Sequence, residues 1–127
     1  AQLDRIDARV ERMRSIYRQY AAGLAGVEGI RLPGFDLDAG EIPQWIDIVC
    51  DRRDELDRHL AGLGMECRRF WHALHTTAPY RRPAEQFPVA TAVAPRALWL
   101  PSAFTLSDAD VEEVCRAVRT FRAAAAA

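Results

Sequence analysis

Between residues 2 and 25, Leu3, Ile6, Val10, Met13, Tyr17, Tyr20 and Leu24 recur at alternating intervals of three and four. That spacing puts them on one face of an α-helix and fits no strand. Asp4, Arg5, Arg9, Glu11, Arg12 and Arg18 fall elsewhere on the same cylinder, so the segment reads as one long amphipathic helix. An apolar stripe of this length needs a surface to lie on. The seam of a packed core is a commoner destination than a free coiled coil, and any fold for this chain must provide a layer beneath that helix. Gly26 and Gly29 mark the helix end, as residues that tolerate the left-handed conformation usually do.

The rest of the chain alternates short elements with turn signals. Pro33 to Gly40 is a loop rich in Gly and Asp. Trp45-Ile46-Asp47-Ile48-Val49-Cys50 is a strand candidate. Asp51 stands where a side chain caps the next helix, which carries Arg53, Leu56, His59 and Leu60 and stops near Gly62 and Gly64. Met65 to Phe70 is a second strand candidate, and residues 71–87 read as loop. Pro88 opens a short helix through Ala94, and Pro95 ends it. Leu98-Trp99-Leu100 is a third strand, stopped by Pro101. Ser107 with Asp110 three residues on resembles a capping box, followed by Val111, Val114, Cys115, Val118 and Phe121 on one helical face. Residues 123–127 form an alanine tail. These elements predict a single α+β domain over residues 1–127: a long helix at 1–25, a body at 41–122 with helices on a small three-stranded sheet, and the tail.

Composition narrows the function. A chain of 127 residues with net charge −1 has no general attraction for nucleic acid or an anionic membrane. No apolar run approaches a membrane span and no signal-peptide pattern opens the chain, so a cytoplasmic location is expected. Cys50, Cys67 and Cys115 are odd in number, far apart and set among apolar residues; they read as buried free thiols in a reducing compartment. All 17 basic residues are Arg. Without a single Lys, no side chain here can form a Schiff base with an aldehyde cofactor.

The densest chemistry lies at Arg68-Arg69-Phe70-Trp71-His72-Ala73-Leu74-His75-Thr76-Thr77-Ala78-Pro79-Tyr80. Arg68 and Arg69 end a strand and should point to opposite faces, leaving one free for a carboxylate or phosphate, which a guanidinium fork matches. His72 and His75 have helical ligand spacing, but Thr76, Thr77 and Pro79 oppose a regular helix and no third ligand is near, so no metal site is expected. Trp45, Phe70, Trp99 and Phe104 are assigned to the core, with Trp71 the exception between the two basic groups. No phosphate-cradling glycine loop and no Gly-x-Ser-x-Gly sequence occurs. Asp108, Asp110, Glu112 and Glu113 fall in a first helical turn and read as capping.

In its order of motifs the chain resembles the C-terminal small domain of the DegT/DnrJ/EryC1/StrS family of pyridoxal-phosphate aminotransferases. The resemblance rests on Ala1-Gln2-Leu3-Asp4-Arg5-Ile6 opening the long helix, Asp51-Arg52-Arg53-Asp54-Glu55-Leu56, Gly64-Met65-Glu66, His75 and Tyr80 after a strand, and Leu100-Pro101 before the last helix. Pro95 interrupts a helix usually continuous in that family, and Phe70-Trp71 stands where a His/Tyr pairing is commoner.

The resemblance implies a fold-type-I enzyme acting mainly on nucleotide-linked keto-sugars. A Lys in a large domain would hold the cofactor there, and residues 1–25 would be the connector into the small domain. It further implies that Arg68, Arg69, His75 and Tyr80 face the substrate, while this chain contributes no catalytic and no cofactor-binding residue. Expected partners are a large pyridoxal-phosphate domain or subunit, a homo- or hetero-oligomeric mate, a nucleotide sugar and an amino-acid donor; nucleic acid and membrane are not expected. By itself the chain should be inactive. The alternative is a stand-alone, non-catalytic module related to that domain, which binds or dimerises through its exposed helix stripe.

Overall fold

The computed structural model describes residues 3–126, with side chains as far as Arg122. Ala1 and Gln2, the start of the proposed connector, and Ala127 of the tail lie outside the described residues. After a 3-10 turn at Leu3–Arg5 come α1 (Ile6–Gly23), β1 (Ile30–Arg31), β2 (Ile46–Cys50), α2 (Arg53–Gly62), β3 (Arg68–Arg69), α3 (Pro88–Val93), β4 (Ala97–Leu100) and α4 (Asp108–Ala126). The sheet runs β1-β2-β4-β3 and every neighbouring pair is antiparallel.

The fold is therefore α+β, as the pattern predicts, but its sheet has four strands rather than three. The extra one, β1, pairs Ile30 with Cys50 and Arg31 with Val49. Two residues are too few to show a period of two, so tertiary pairing and not local pattern makes this strand. Only Arg68 and Arg69 of the predicted Met65–Phe70 strand join the ladder, although the Phe70 N–H still donates to the Ala97 carbonyl at 3.2 Å.

Alternation gives the sheet two unlike faces. Ile46, Ile48 and Cys50 of β2 and Leu98 and Leu100 of β4 point into one buried cluster with Met13, Ile16, Tyr17 and Tyr20 of α1, Leu56 and Leu60 of α2, and Val111, Val114 and Val118 of α4. Each fully buried aliphatic side chain contributes about 1.5–3 kcal/mol by leaving water. Asp47, Val49, Ala97 and Trp99 take the opposite face.

Close approach of α1 to α4 depends on Gly23, where a Cβ would meet Cys115 Sγ at 2.5 Å. The helix pair is also clamped by charge. Arg12 donates to Asp108 Oδ1 at 2.6 Å and to the Leu106 carbonyl, and Gln19 donates to the same Asp108 oxygen at 2.9 Å. Arg12 is thus a bracing residue rather than a freely solvated one. Tyr20, fully buried, donates to the Pro101 carbonyl at 2.8 Å and ties α1 to the end of β4.

Local signals hold in part. The Ser107–Asp110 box forms: the Ser107 N–H and hydroxyl each donate to Asp110 Oδ2 at 2.7 Å, and the Asp110 N–H reaches Ser107 Oγ at 3.2 Å. Pro88 occupies the first turn of α3, and the chain leaves the α-helix just before Pro95. Two expectations need correction. α1 ends at Gly23, three residues before Gly26: the Leu24 N–H makes the last bond of helical span, to Tyr20, and the Ala25 N–H turns to Ala22 instead; Gly26 and Gly29 supply the positive-φ turns of 71° and 69° that lead into β1. Asp51 does not cap α2. Arg52 holds the N-cap position without a side-chain cap, while Asp51 pairs with Arg96 at 3.0 Å.

Candidate functional site

Arg68 and Arg69 part to opposite faces because they are adjacent on β3. Arg68 lies opposite Trp99 and Arg69 opposite Leu98. The exposed Arg68 guanidinium sits 5.3 Å from the Trp99 ring centroid, within cation–π range. Arg69 turns to the helix side, where its Nε donates to Asp57 Oδ2 at 2.9 Å and its Nη2 lies 3.6 Å from Asp54. These carboxylates hold the Arg69 proton more firmly than usual. Arg69 is thus already engaged with α2, and Arg68 is the guanidinium left facing outward.

Around Arg68 the open face of the sheet is aromatic. Trp45 stacks on Trp99 at 4.3 Å with 16° between planes. Trp71 meets Trp99 edge-on at 4.7 Å and Trp45 at 5.5 Å, and Phe70 meets Trp99 at 6.0 Å and 90°. Trp99 is buried at 4% exposure, but Trp71, past the end of β3, is 55% exposed. Trp45 and Trp99 belong to this open-face cluster, not to the core beneath the helices. The signal was in the strands: Asp47 alternates with Ile46 and Ile48 and so takes the face away from the helices, which its register partner Trp99 shares.

Asp47 is held in an unusual state. Burial pushes its carboxyl above the ordinary value, and the nearby Trp99 indole offsets this only in part. Asp47 Oδ1 and Trp99 Nε1 are buried, and neither makes a hydrogen bond of regular geometry. The two groups lie side by side, the indole next to the carboxyl, and each satisfies the other only in part.

His75 and Tyr80 sit in consecutive 3-10 turns, Leu74–Thr76 and Ala78–Tyr80. The two differ sharply in exposure, His75 at 6% and Tyr80 at 60%. The imidazole stacks on Phe87 at 4.9 Å and 17°, and its Nε2 lies 3.1 Å from Thr91 Oγ1. The Thr91 hydroxyl has one proton and gives it to the Phe87 carbonyl at 2.7 Å. It therefore accepts from the His75 Nε2–H. The Arg82 N–H donates to the His75 carbonyl at 3.1 Å, closing the loop that carries Tyr80. His72 is exposed beside Trp71.

The four sequence-selected residues thus take separate stations. Arg68 is on the open face, Arg69 braces α2, His75 is buried under Phe87, and Tyr80 is at the surface; none of the bonds given above joins two of them. Between the Phe70–Leu74 arm and α3 runs a groove of about 800 Å3, walled by Phe70, Trp71, Leu74, Phe87, Val89 and Val93. Thr91 and Phe87, which seat His75, are contributors that sequence reasoning did not select, whereas Trp71 is the aromatic it sets apart from the core. Burial pushes the Cys67 thiol up to about 12, so it stays protonated near neutrality and is no nucleophile. Among the described residues, no group of three or more His, Cys, Asp or Glu side chains is arranged to hold a metal, and no helix is long and apolar enough to cross a membrane.

Comparison with known proteins gives a consistent result. The family model described as the DegT/DnrJ/EryC1/StrS aminotransferase family matches residues 1–119. A GDP-perosamine synthase of Vibrio cholerae is 29% identical over 130 residues, which is 95% of this chain and 35% of the relative. Among solved structures, the aminotransferase TlmJ from Streptoalloteichus hindustanus superposes with a TM-score of 0.81 at 30% identity, covering 99% of this chain and 35% of its own. DesV of S. venezuelae, solved with a ketimine intermediate, gives a TM-score of 0.79 at 27% identity, covering 94% of this chain and 33% of that one. The chain spans about a third of the length of the relatives it matches.

Proposed function

Because the chain belongs to the DegT/DnrJ/EryC1/StrS aminotransferase family, we propose that it is the C-terminal small domain, or a subunit equivalent to it, of an enzyme that aminates a nucleotide-linked keto-sugar. The observation that carries this reading is a family match over residues 1–119 in a chain only about a third as long as its relatives.

Pyridoxal phosphate, the cofactor implied by the family, does not fit this chain. With no Lys among 127 residues there is no side-chain amine to condense with it, and no glycine-rich phosphate loop is present. When bound, the cofactor acts as an electron sink for amine transfer; that chemistry belongs to the remaining two thirds of the enzyme. Isolated, the chain is inactive.

This chain's share is one wall of the substrate cleft, offered by Arg68 and Tyr80 and supported from behind by Arg69 and His75. Arg68, exposed on the open face with its guanidinium over the Trp99 ring, offers a diphosphate or carboxylate the fork that binds such groups bidentately. Arg69 fixes the end of β3 through Asp54 and Asp57. His75, locked by Phe87 and Thr91, fixes the turn that presents the Tyr80 hydroxyl. The expected mates are a lysine-bearing large domain, a second protomer, a nucleotide sugar and an amino-acid donor, in the cytoplasm.

Reconstitution tests this. The chain is combined with the lysine-bearing portion of a family aminotransferase, and amine transfer from glutamate to nucleotide keto-sugars is measured. Transfer that requires both pieces and drops at least tenfold with Arg68→Ala supports the reading. A chain that never adds activity to any such portion contradicts it.

A second reading has its own observation. Leu3 and Ile6 on the α1 stripe are 77% and 49% exposed, and an uncovered stripe suits a non-catalytic module that associates through α1. Light scattering separates the two: association lost on Leu3→Glu and Ile6→Glu, together with no effect on any family enzyme, favours the module.

A further inference from the structure

A second cavity, of about 320 Å3, opens where the start of α2, the arm after β3 and the end of α3 meet. Its polar lining is Arg53, Arg69, His72, Thr76 and Thr91, and no carboxylate belongs to it. The Thr76 hydroxyl gives its proton to the Ala73 carbonyl and the Thr91 hydroxyl to that of Phe87, each at 2.7 Å. The side-chain donors left to a ligand are therefore the two guanidiniums and the His72 imidazole. The rest of the wall is apolar, from Phe70, Trp71, Ala73, Ala94 and Pro95. Arg68, on the other face of β3, is not part of it.

The two arginines are fixed from outside the cavity. Arg53 Nε donates to Asp54 Oδ1 at 2.6 Å, and Arg69 Nε to Asp57 Oδ2 at 2.9 Å. Arg69 Nη2 also lies 3.6 Å from the same Asp54 oxygen, so one carboxylate gathers both guanidiniums. Held at Nε, Arg53 keeps its Nη1 and Nη2 donors for another acceptor, and its side chain is only 14% exposed. A guanidinium positioned in advance gives up little rotamer freedom when an oxyanion arrives. A lining whose charged members are both cationic selects an anion, and an apolar wall favours one with a carbon body over a bare ion. We infer that this cavity binds a small organic anion, with its carboxylate or phosphate bridging Arg53 and Arg69 and its body lying on the apolar wall. The site lies wholly within this chain, so it needs no other part of a family enzyme.

The isotope-labelled chain is titrated at fixed ionic strength with phenyl phosphate, benzoate, inorganic phosphate and chloride, while its amide and Arg Nε–H resonances are followed by NMR. Saturable shifts are expected at Arg53, residues 69–73 and Thr91, with at least one of the two organic probes binding at least threefold more tightly than inorganic phosphate. The tighter of the two identifies the head group. Arg53→Lys keeps the charge but loses the fork, and should weaken binding at least fivefold. His72→Glu, at an exposed position, sets a negative charge in the lining; it should weaken binding at least tenfold with Tm nearly unchanged. Arg31→Gln on β1, at the far edge of the sheet, should leave the affinity as it is. Shifts that never saturate, that spread over the other exposed arginines, or that survive both Arg53→Lys and His72→Glu overturn the inference. So does inorganic phosphate binding as tightly as both organic probes, since the apolar wall would then contribute nothing.

Discussion

The two faces of the sheet are built from alternate residues of the same strands, yet they obey different rules. On the helix side, Ile46, Ile48, Leu98 and Leu100 are almost wholly buried among apolar side chains of three helices, and the start of α4 is satisfied by the Ser107–Asp110 box and tied to α1 by the Arg12–Asp108–Gln19 clamp. On the open side, one residue along each strand, the neighbours are indoles, an outward-facing Arg and an acid held above its ordinary pKa. The helix side has what folding requires. The open side leaves aromatic surface wet, at Trp71 above all, a cost that is reasonable where a ligand or another body completes the contact.

The sharpest way to break this contrast is to truncate one residue on each face. Leu98→Ala leaves a cavity beneath three helices and should cost about 2–5 kcal/mol, read as a large drop in urea midpoint. Trp71→Ala removes only edge contacts of an exposed ring and should cost less than about 1.5 kcal/mol. Equal losses would mean that the open face is part of the folding core. Next in size is Ser107→Ala, which removes the cap of α4 and should cost about 1 kcal/mol; an unchanged midpoint would show that α4 does not depend on its box.

The smallest effects lie in the pH dependence, and here the two faces should differ in sign. Hydrogen bonds from Arg12 and Gln19 hold Asp108 below the ordinary carboxylate range, and those from Ser107 do the same for Asp110. A depressed carboxylate stabilises the fold above its unfolded pKa of about 4 and loses that contribution as pH falls through the folded value. Asp47 is raised by burial, so its charged form opposes folding at neutral pH and ceases to do so as pH falls. Asp47→Asn should therefore be more stable than the native chain at pH 7, with the gap closing in acid. Asp108→Asn should be less stable at pH 7, again with the gap closing in acid. Urea titrations at several pH values decide this, and the same sign for both variants would break the comparison.

Much of this division was legible in the sequence. The 3-4 spacing of α1, the Ser107–Asp110 box, the stops at Pro95 and Pro101 and the apolar face of α4 are local signals that tertiary structure had no reason to override. The opposed directions of Arg68 and Arg69 follow from strand geometry alone. Less visible was whatever needs a partner far along the chain. β1 exists only because Ile30 and Arg31 find β2. Asp51 gave up its cap for Arg96, forty-five residues away. Trp45 and Trp99 read as core because indoles usually are, and only the register pairing Asp47 with Trp99 shows them on the other face. His75 was selected for its place after the strand, but its burial under Phe87 and its bond to Thr91 depend on how the 71–87 segment folds back over α3, which carries no periodic signal.

The central claim is that the cofactor chemistry lies on another stretch of polypeptide while this chain supplies a wall. Borohydride trapping tests it most directly. The isolated chain and a chimera in which it replaces the matching third of the Vibrio cholerae GDP-perosamine synthase are each incubated with pyridoxal phosphate, reduced, and mapped by peptide mass analysis, with any adduct on the N-terminal amine discounted. The account predicts no side-chain adduct anywhere in the isolated chain and, in the chimera, an adduct on a Lys outside the segment contributed by this chain. A reduced adduct on any side chain of these 127 residues would contradict it.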